Sequence, residues 1–357
     1  MAVVITCRNY SAFVAHAIQS VASQSYPWFR CVVVDDASTD ESRAIIEDTL
    51  ARLADDRFLL LSLNKNVGQL AAFRLGLERL AGRFAAFLDA DDEWFPRFLE
   101  CHVRAHLNSV CAAPLSGSDA CFVDAEGVLI TGTHIFCAKD RPGFAQIPAT
   151  DLPDDACPRV EGARIVLDGG APLKVRYVSR NVTGWHWVNT SAMVFRRDDF
   201  VDLAIPVDGE PKERHADYIL ASLAHMLGGS LIIADRLGTY RIHGRNLYAA
   251  SRRIGSFQIN GFEPPGSAQY ANDRLVLHVL RNWDVFASLA GVEAIAEGLQ
   301  QFLVGSRFRD LAKAANVDDE VERVLNRAYR ARRAYRHGLK RYLLRRYQAF
   351  AALRREL

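Results

Sequence analysis

Three carboxylates crowd into four residues where an apolar run ends. The segment Phe84 to Leu88 leads directly into Asp89, Ala90, Asp91 and Asp92. Acids placed this way repel one another and lose hydration unless a cation shares the site. Their oxygens suit Mg²⁺ or Mn²⁺, which commonly bind through one or two carboxylates plus substrate phosphates. A solvated Asp-rich turn is the plain alternative for this short pattern taken alone. Polar groups also end three other apolar runs: Cys7-Arg8-Asn9, Asp35-Asp36, and the stretch from Asn66 to Arg74. In open α/β sheets ligands bind beyond the carboxyl ends of the strands, so all four groups are expected in one crevice.

The elements that must position them alternate in type. Residues 2–6, 31–34, 58–63 and 84–88 read as strands, and 13–21, 41–53 and 69–80 as helices, with Phe13, Ala17, Ile18 and Val21 on one face. This rhythm predicts a parallel sheet with helices on both faces and right-handed crossovers. From Cys101 to Arg180 the pattern is irregular and predicts loops with short strands. A strand follows over 189–195, then a helix over 216–227 stopped by Gly228 and Gly229, then a strand over 230–234. After Asn246 the chain reads as mostly helical. The division is therefore an α/β domain over 1–250 and a helical extension over 251–357.

Composition narrows the class. Of 357 residues half are hydrophobic and 24% are charged, which excludes a disordered or collagen-like chain. No apolar run is long enough to span a membrane, and the first residues lack a signal peptide's basic and apolar regions. The seven cysteines form no CxxC pair, which argues for reduced thiols, against zinc, and for a cytoplasmic protein. The net charge of +2 conceals an asymmetry: residues 323–357 carry 12 Lys and Arg against one acid. The same tail has an apolar stripe at helical spacing through Leu325, Tyr329, Tyr335, Leu339, Tyr342, Leu343, Tyr347 and Phe350. The stripe is expected to pack on the domain or on a second copy in a homo-oligomer. Weak attraction to anionic lipid at the inner face of the membrane is secondary. No nucleic acid is expected as a partner.

Taken in order, the motifs are more specific than any one of them. Val3 to Asn9, Gln24 to Pro27, Val33 to Asp40, Asn66 to Gly68, Arg74 to Gly76 and Phe87 to Pro96 are followed by Ser191 to Arg197, Ala216 to Tyr218, Gly228-Gly229 and Tyr240 to Asn246. Over residues 1–250 this series resembles the family-two glycosyltransferases of the GT-A fold. The resemblance implies a GT-A-like, mostly parallel nucleotide-binding sheet flanked by helices, with residues beyond 250 as a helical extension. It also implies metal-dependent, inverting transfer of a sugar. The donor would be a nucleotide-diphosphate sugar, and the acceptor a hydroxyl of a glycan, lipid-linked or protein molecule. Mg²⁺ or Mn²⁺ would neutralise the leaving diphosphate.

By the same resemblance Cys7, Arg8, Asn9, Asn66, Gly68 and Ala90 line the nucleotide-sugar site. Asp36 matches the acid that binds the nucleobase, although it or Ser38 could equally cap the following helix. Arg74 matches a basic residue near the diphosphate, with a surface helix arginine as its plain alternative. Asp91 matches the direct metal ligand and Asp89 the acid nearer the ribose. Asp92 can serve either role, and His243 matches a position beside metal or diphosphate. The base matches Asp217, with Glu213, His215 or a mere helix cap at Asp217 as alternatives. Trp185 and Trp187, read as alternate residues of a strand, form either an acceptor platform or plain core.

Two positions depart from the family: Ala216 stands where it usually has Glu, and Arg8 where it usually has an aromatic ring. These departures motivate the alternative of a nucleotide-sugar-binding protein without turnover. The absence of a Gly-rich loop after the first strand disfavours a nucleotidyltransferase or a dinucleotide oxidoreductase.

Overall fold

The computed structural model describes residues 1–109, 111–132, 144–147, 158–161, 164–167, 173–197, 215–244, 246, 267–302, 307–317, 319 and 321–330. These group into two compact units, 1–268 and 269–357.

The first unit is built on a sheet of eleven strands, ordered β3-β2-β1-β4-β12-β6-β13-β11-β8 along its main path. Strands β1 (Ala2–Cys7), β2 (Arg30–Asp35), β3 (Phe58–Ser62) and β4 (Phe84–Asp89) are mutually parallel. Their β-branched and aromatic residues are buried on both faces, as a covered parallel sheet requires. Helix α1 (Val14–Ala22) buries Val14, Ala17, Ile18 and Val21, and Phe13, expected on the same face, is buried just before its first turn. Helices α2 (Ser42–Leu53) and α3 (Gln69–Leu77) complete this half. After β1 the chain moves to β2 on one side while β4 lies on the other, which makes the β1/β4 crevice a topological switch point.

The second half is mixed. Strand β12 (Met193–Arg196) runs antiparallel to both β4 and β6 (Leu115–Asp124), and β6 runs parallel to β13 (Ser230–Ile242). The short β5 (Glu93–Trp94) pairs with β13, and β7 (Leu129–Thr131) with β6. Strands β11 (Val175–Val178) and β8 (Phe144–Ile147) close that side, and β9 (Pro158–Glu161) pairs with β10 (Arg164–Leu167) in a separate ribbon.

Three expectations are corrected here. Helix α4 (Phe98–Asn108) runs past Cys101 into the segment where loops with short strands were expected. Its apolar period is disguised because Glu100, His102, Arg104 and His106 are all buried, Glu100 and Arg104 as an ion pair 3.3 Å apart. The ten-residue β6 was hidden by its small buried residues Ser116, Gly117, Ser118 and Asp119. The strand expected over 189–195 starts only at Met193, because Thr190–Ala192 forms a 3-10 turn. Helix α5 (Ala216–Gly228) lies where expected, and β13 runs on to Ile242, well past 234.

The second unit contains α6 (Ser267–Arg281), α7 (Trp283–Ala290), α8 (Val292–Leu299), α9 (Arg307–Ala315) and a helical segment over 321–330. Leu325 is buried there and Tyr329 is exposed; the remaining stripe residues of the basic tail, from Tyr335 to Phe350, lie outside the described residues. Among the described residues no helix is long and apolar enough to cross a membrane.

Candidate active site

Register sets the site. Cys7 pairs with Asp35 and Thr6 with Asp89, so the ends of β1, β2 and β4 lie level and their following loops meet. Cys7 is buried beneath them, and burial pushes its thiol up to about 12, so it is no nucleophile at neutral pH.

Beyond β1, β2 and β3 the bonds are short-range in space and join neighbouring loops. Asp36 accepts the backbone N–H groups of Val67 at 2.7 Å and Gly68 at 3.0 Å. Asn66 also accepts from the Gly68 N–H, and Gly68, at φ 85°, turns the chain into α3. Neither Asp36 nor Ser38 caps α2: the Ser42 N–H donates to Asp40, and the Ser38 hydroxyl accepts from the Asn9 N–H. Asn9, itself left-handed at φ 60°, accepts from the Thr39 N–H at 2.7 Å. Arg8 is exposed and donates one bond, to the Asp36 carbonyl at 3.1 Å. Arg74 pairs with Glu78 on the partly exposed face of α3, 3.1 Å away.

The acid loop divides into unlike members. Asp89 accepts from Gln69 Nε2 at 2.5 Å, and its N–H donates to the Ser191 hydroxyl. Burial, then the fields of Asp91 and Asp217, push its carboxyl up to about 8. Ala90 is buried. Asp92 is committed on both oxygens, to the Arg241 N–H at 2.9 Å and to Asn189 Nδ2 at 2.6 Å. Burial, then Asp91 and Asp89, hold its carboxyl well above the usual carboxylate range. Asp91 alone meets a metal-type partner: its Oδ2 lies 3.0 Å from His243 Nε2. The imidazole is fixed between the rings of Phe13 and Tyr10, at 5.2 and 5.7 Å, and its backbone N–H donates to Asn246.

Carboxylate oxygens beside an imidazole nitrogen are the donor chemistry of Mg²⁺ and, better, Mn²⁺. Among the described residues no cluster of three or more His, Cys, Asp or Glu is arranged to hold a metal by itself. The fit is therefore of the kind in which Asp91 and His243 supply two donors and substrate phosphates complete the shell.

Asp217 stands in the first turn of α5 and is not its cap, a position held by His215. It is half-buried, close enough to the acid loop for its charge to act on both Asp89 and Tyr240. Glu213 lies outside the described residues. The strand assumed for the tryptophans is corrected, while Trp187 takes the core alternative. Residues 185–187 are not in a strand, and the rings of Trp185 and Trp187 meet edge to face, 5.2 Å apart and 87° inclined. Trp187 is core, packed against His225 and Gly117, whereas Trp185 is half-buried and stacks over Tyr218 at 6.2 Å and 11°. Sequence reasoning missed Gln69, Asn189 and the contribution of Arg241. Asn189 carries no signal, whereas Arg241 lay inside a recognised motif.

A parallel β1–β4 half ending in an acid loop, closed by an antiparallel β12, is the architecture of GT-A glycosyltransferases. Residues 2–124 match the family model of glycosyl transferase family 2. It is similar to an uncharacterized glycosyltransferase of Nostoc sp., 28% identical over 281 residues, covering 77% of this chain and 76% of that protein. TuaG of Bacillus subtilis, whose name places it in teichuronic acid biosynthesis, is 32% identical over 117 residues. That match covers 33% of this chain, and the chain spans 46% of TuaG. The crystal structure of S. aureus TarS 1–349 in complex with UDP-GlcNAc shares the fold with a TM-score of 0.50 and 14% identity, covering 95% of this chain and 92% of that one.

Proposed function

We propose that the protein catalyses metal-dependent, inverting transfer of a sugar from a nucleotide-diphosphate sugar to a hydroxyl of a glycan, lipid-linked or protein acceptor. The observation that carries this reading is the meeting of Asp91 and His243 at the β4 end, with Asp217 across the crevice on α5. Mg²⁺ or Mn²⁺ bound by Asp91 and His243 would supply Lewis-acid neutralisation of the leaving diphosphate.

The chain's own residues do the rest. The loops at 7–9, 36 and 66–68 seat the nucleotide, with the Arg8 guanidinium offering a flat face to the base where the family usually has a ring. The Asp89 carboxyl lies on the ribose side. Asp217 takes the proton from the acceptor hydroxyl as its oxygen bonds to the anomeric carbon, while the bond from that carbon to the diphosphate breaks. Trp185, backed by Tyr218 next to the base, is the surface on which an acceptor sugar stacks. The name of TuaG supports an acceptor of the cell-envelope glycan kind. An acceptor of this class on a lipid carrier would suit a basic tail near the inner membrane face.

The test is a thermal-shift panel of UDP-, GDP- and dTDP-sugars with and without Mn²⁺, followed by NMR of the anomeric proton in the product. A ligand of the native state raises apparent stability by RT ln(1+[L]/Kd). A rise that needs both Mn²⁺ and one class of sugar nucleotide, with an inverted product, is expected. Binding with no turnover on any acceptor would instead favour the non-catalytic reading.

A further inference from the structure

Arg241 is buried, 4% exposed, in the middle of the acid loop's support. Its Nε donates to the Asp91 carbonyl at 2.9 Å. Nη1 donates to the carbonyls of Asp124 and Ala125 at the β6 end, and Nη2 pairs with Glu93. The guanidinium carbon lies over the Phe13 ring, 5.2 Å from its centroid. The main chain of the same residue completes the arrangement. Its N–H holds Asp92, and its carbonyl accepts from Asn246 Nδ2 at 2.6 Å. Asn246 in turn holds the backbone of His243.

From this geometry we infer that Arg241 is the positioning residue of the donor site, fixing the spacing between Asp91 and His243 by gripping the backbone that carries each. The inference rests on the proposed metal-dependent donor site. The physical reasons are three. A guanidinium forks toward several acceptors in one plane, which a lysine ammonium cannot do. The buried cation pairs with the Glu93 carboxylate and so offsets part of the negative charge crowded beside the loop. Partners behind a metal's direct ligands commonly alter its affinity by about 10–100-fold when removed.

The test compares Arg241→Lys, Glu93→Gln and Ile18→Val in the full chain, each at a temperature where it is folded. Ile18, on the buried face of α1, makes no polar bond to the loop and serves as the control for a loss of stability. Binding of Mn²⁺ is read from the free-ion EPR signal, in the presence of whichever of UDP, GDP and dTDP binds wild type most tightly. Arg241→Lys should weaken Mn²⁺ by at least about tenfold. Glu93→Gln should give a smaller loss in the same direction, and Ile18→Val none. In turnover assays the loss should fall on KM for the donor more than on kcat. Mn²⁺ affinity within twofold of wild type in Arg241→Lys, or an equal loss in Ile18→Val, would overturn the inference while leaving the donor site standing. If Arg241→Lys does not fold, Glu93→Gln decides: an affinity no lower than that of Ile18→Val overturns the inference. Wild-type protein that binds Mn²⁺ with none of the nucleotides would overturn the donor site and this inference together.

Discussion

The two halves of the sheet contribute to one site by different means. In the β3-β2-β1-β4 half, parallel strands end level and the loops beyond them bond to their spatial neighbours: Asp36 to Val67 and Gly68, Asn9 to Thr39. In the β12-β6-β13 half, the contributing residues reach across roughly a hundred or more positions of sequence. Ser191 takes the Asp89 N–H, Asn189 holds Asp92, and Arg241 and His243 hold the two sides of Asp91. In the proposed site the first half would present the groups that meet the nucleotide, and the second leaves Asp91 less committed than Asp92. Changes in the second half should therefore register first in the acid loop and in stability.

The sharpest break between the halves is expected at the base. Asp217→Asn should lower kcat by about 10²–10⁴-fold while donor affinity is kept, because only the proton transfer is removed. Near wild-type kcat in steady-state assays would move the role to His215 or Glu213.

The next effect tests how closely the second half is built. A Cβ at Gly238 would stand 2.8 Å from the Glu93 carbonyl, and backbone cannot yield as a flexible side chain can. Gly238→Ala should cost the upper part of about 1–3 kcal/mol in urea unfolding. A cost below about 0.5 kcal/mol would show that β5 and β13 are free to part.

Acid should weaken the second half in its own way. His106, on α4 against Phe84, is buried, and burial lowers its imidazole from 6.5 to about 3. A depressed folded value means that its contribution is complete above pH 6.5 and is lost as pH falls toward 3, since the unfolded chain takes up the proton first. Between pH 7 and pH 5 this is about 2 kcal/mol. His106→Phe should therefore flatten the pH dependence of unfolding by about that amount relative to wild type. Parallel curves would place the acid sensitivity elsewhere.

The smallest effect belongs to the first half. Arg74 and Glu78 form a partly exposed i,i+4 pair, so Arg74→Ala should change stability by no more than about 0.5 kcal/mol. With stability so little altered, a fall in donor affinity measured by calorimetry would assign Arg74 to the diphosphate, and no fall would leave it a surface pair.

The difference between the halves also explains what could be read in advance. The β1–β4 rhythm, its helices and the cluster at Asp89 to Asp92 were readable because apolar periodicity and strand-end acids are local signals. Helix α4 was not, since Glu100 and Arg104 satisfy each other inside the fold and remove the polar face that periodicity needs. Strand β6 was not, because Gly117 leaves room for the Trp187 ring 3.0 Å from where its Cβ would be. Asp91 and Asp92 could not be told apart by type or spacing; Asn189 and Arg241, far along the chain, distinguish them. The tryptophans misled because a three-residue alternation needs a strand to give it meaning, and 185–187 lies in none.

In the proposed site Asp91 is left for the metal and donor while Asp92 holds the loop. Asp91→Asn and Asp92→Asn, measured side by side by thermal shift with and without Mn²⁺ and the sugar nucleotide, test it directly. Asp91→Asn should melt at or above the wild-type temperature without ligand, because carboxylate repulsion is relieved, and should lose the Mn²⁺-dependent rise. Asp92→Asn should melt lower without ligand, with its bonds to Arg241 and Asn189 impaired, and should keep that rise. The reverse pattern, with the rise kept in Asp91→Asn and abolished in an equally stable Asp92→Asn, would assign the metal to Asp92 instead.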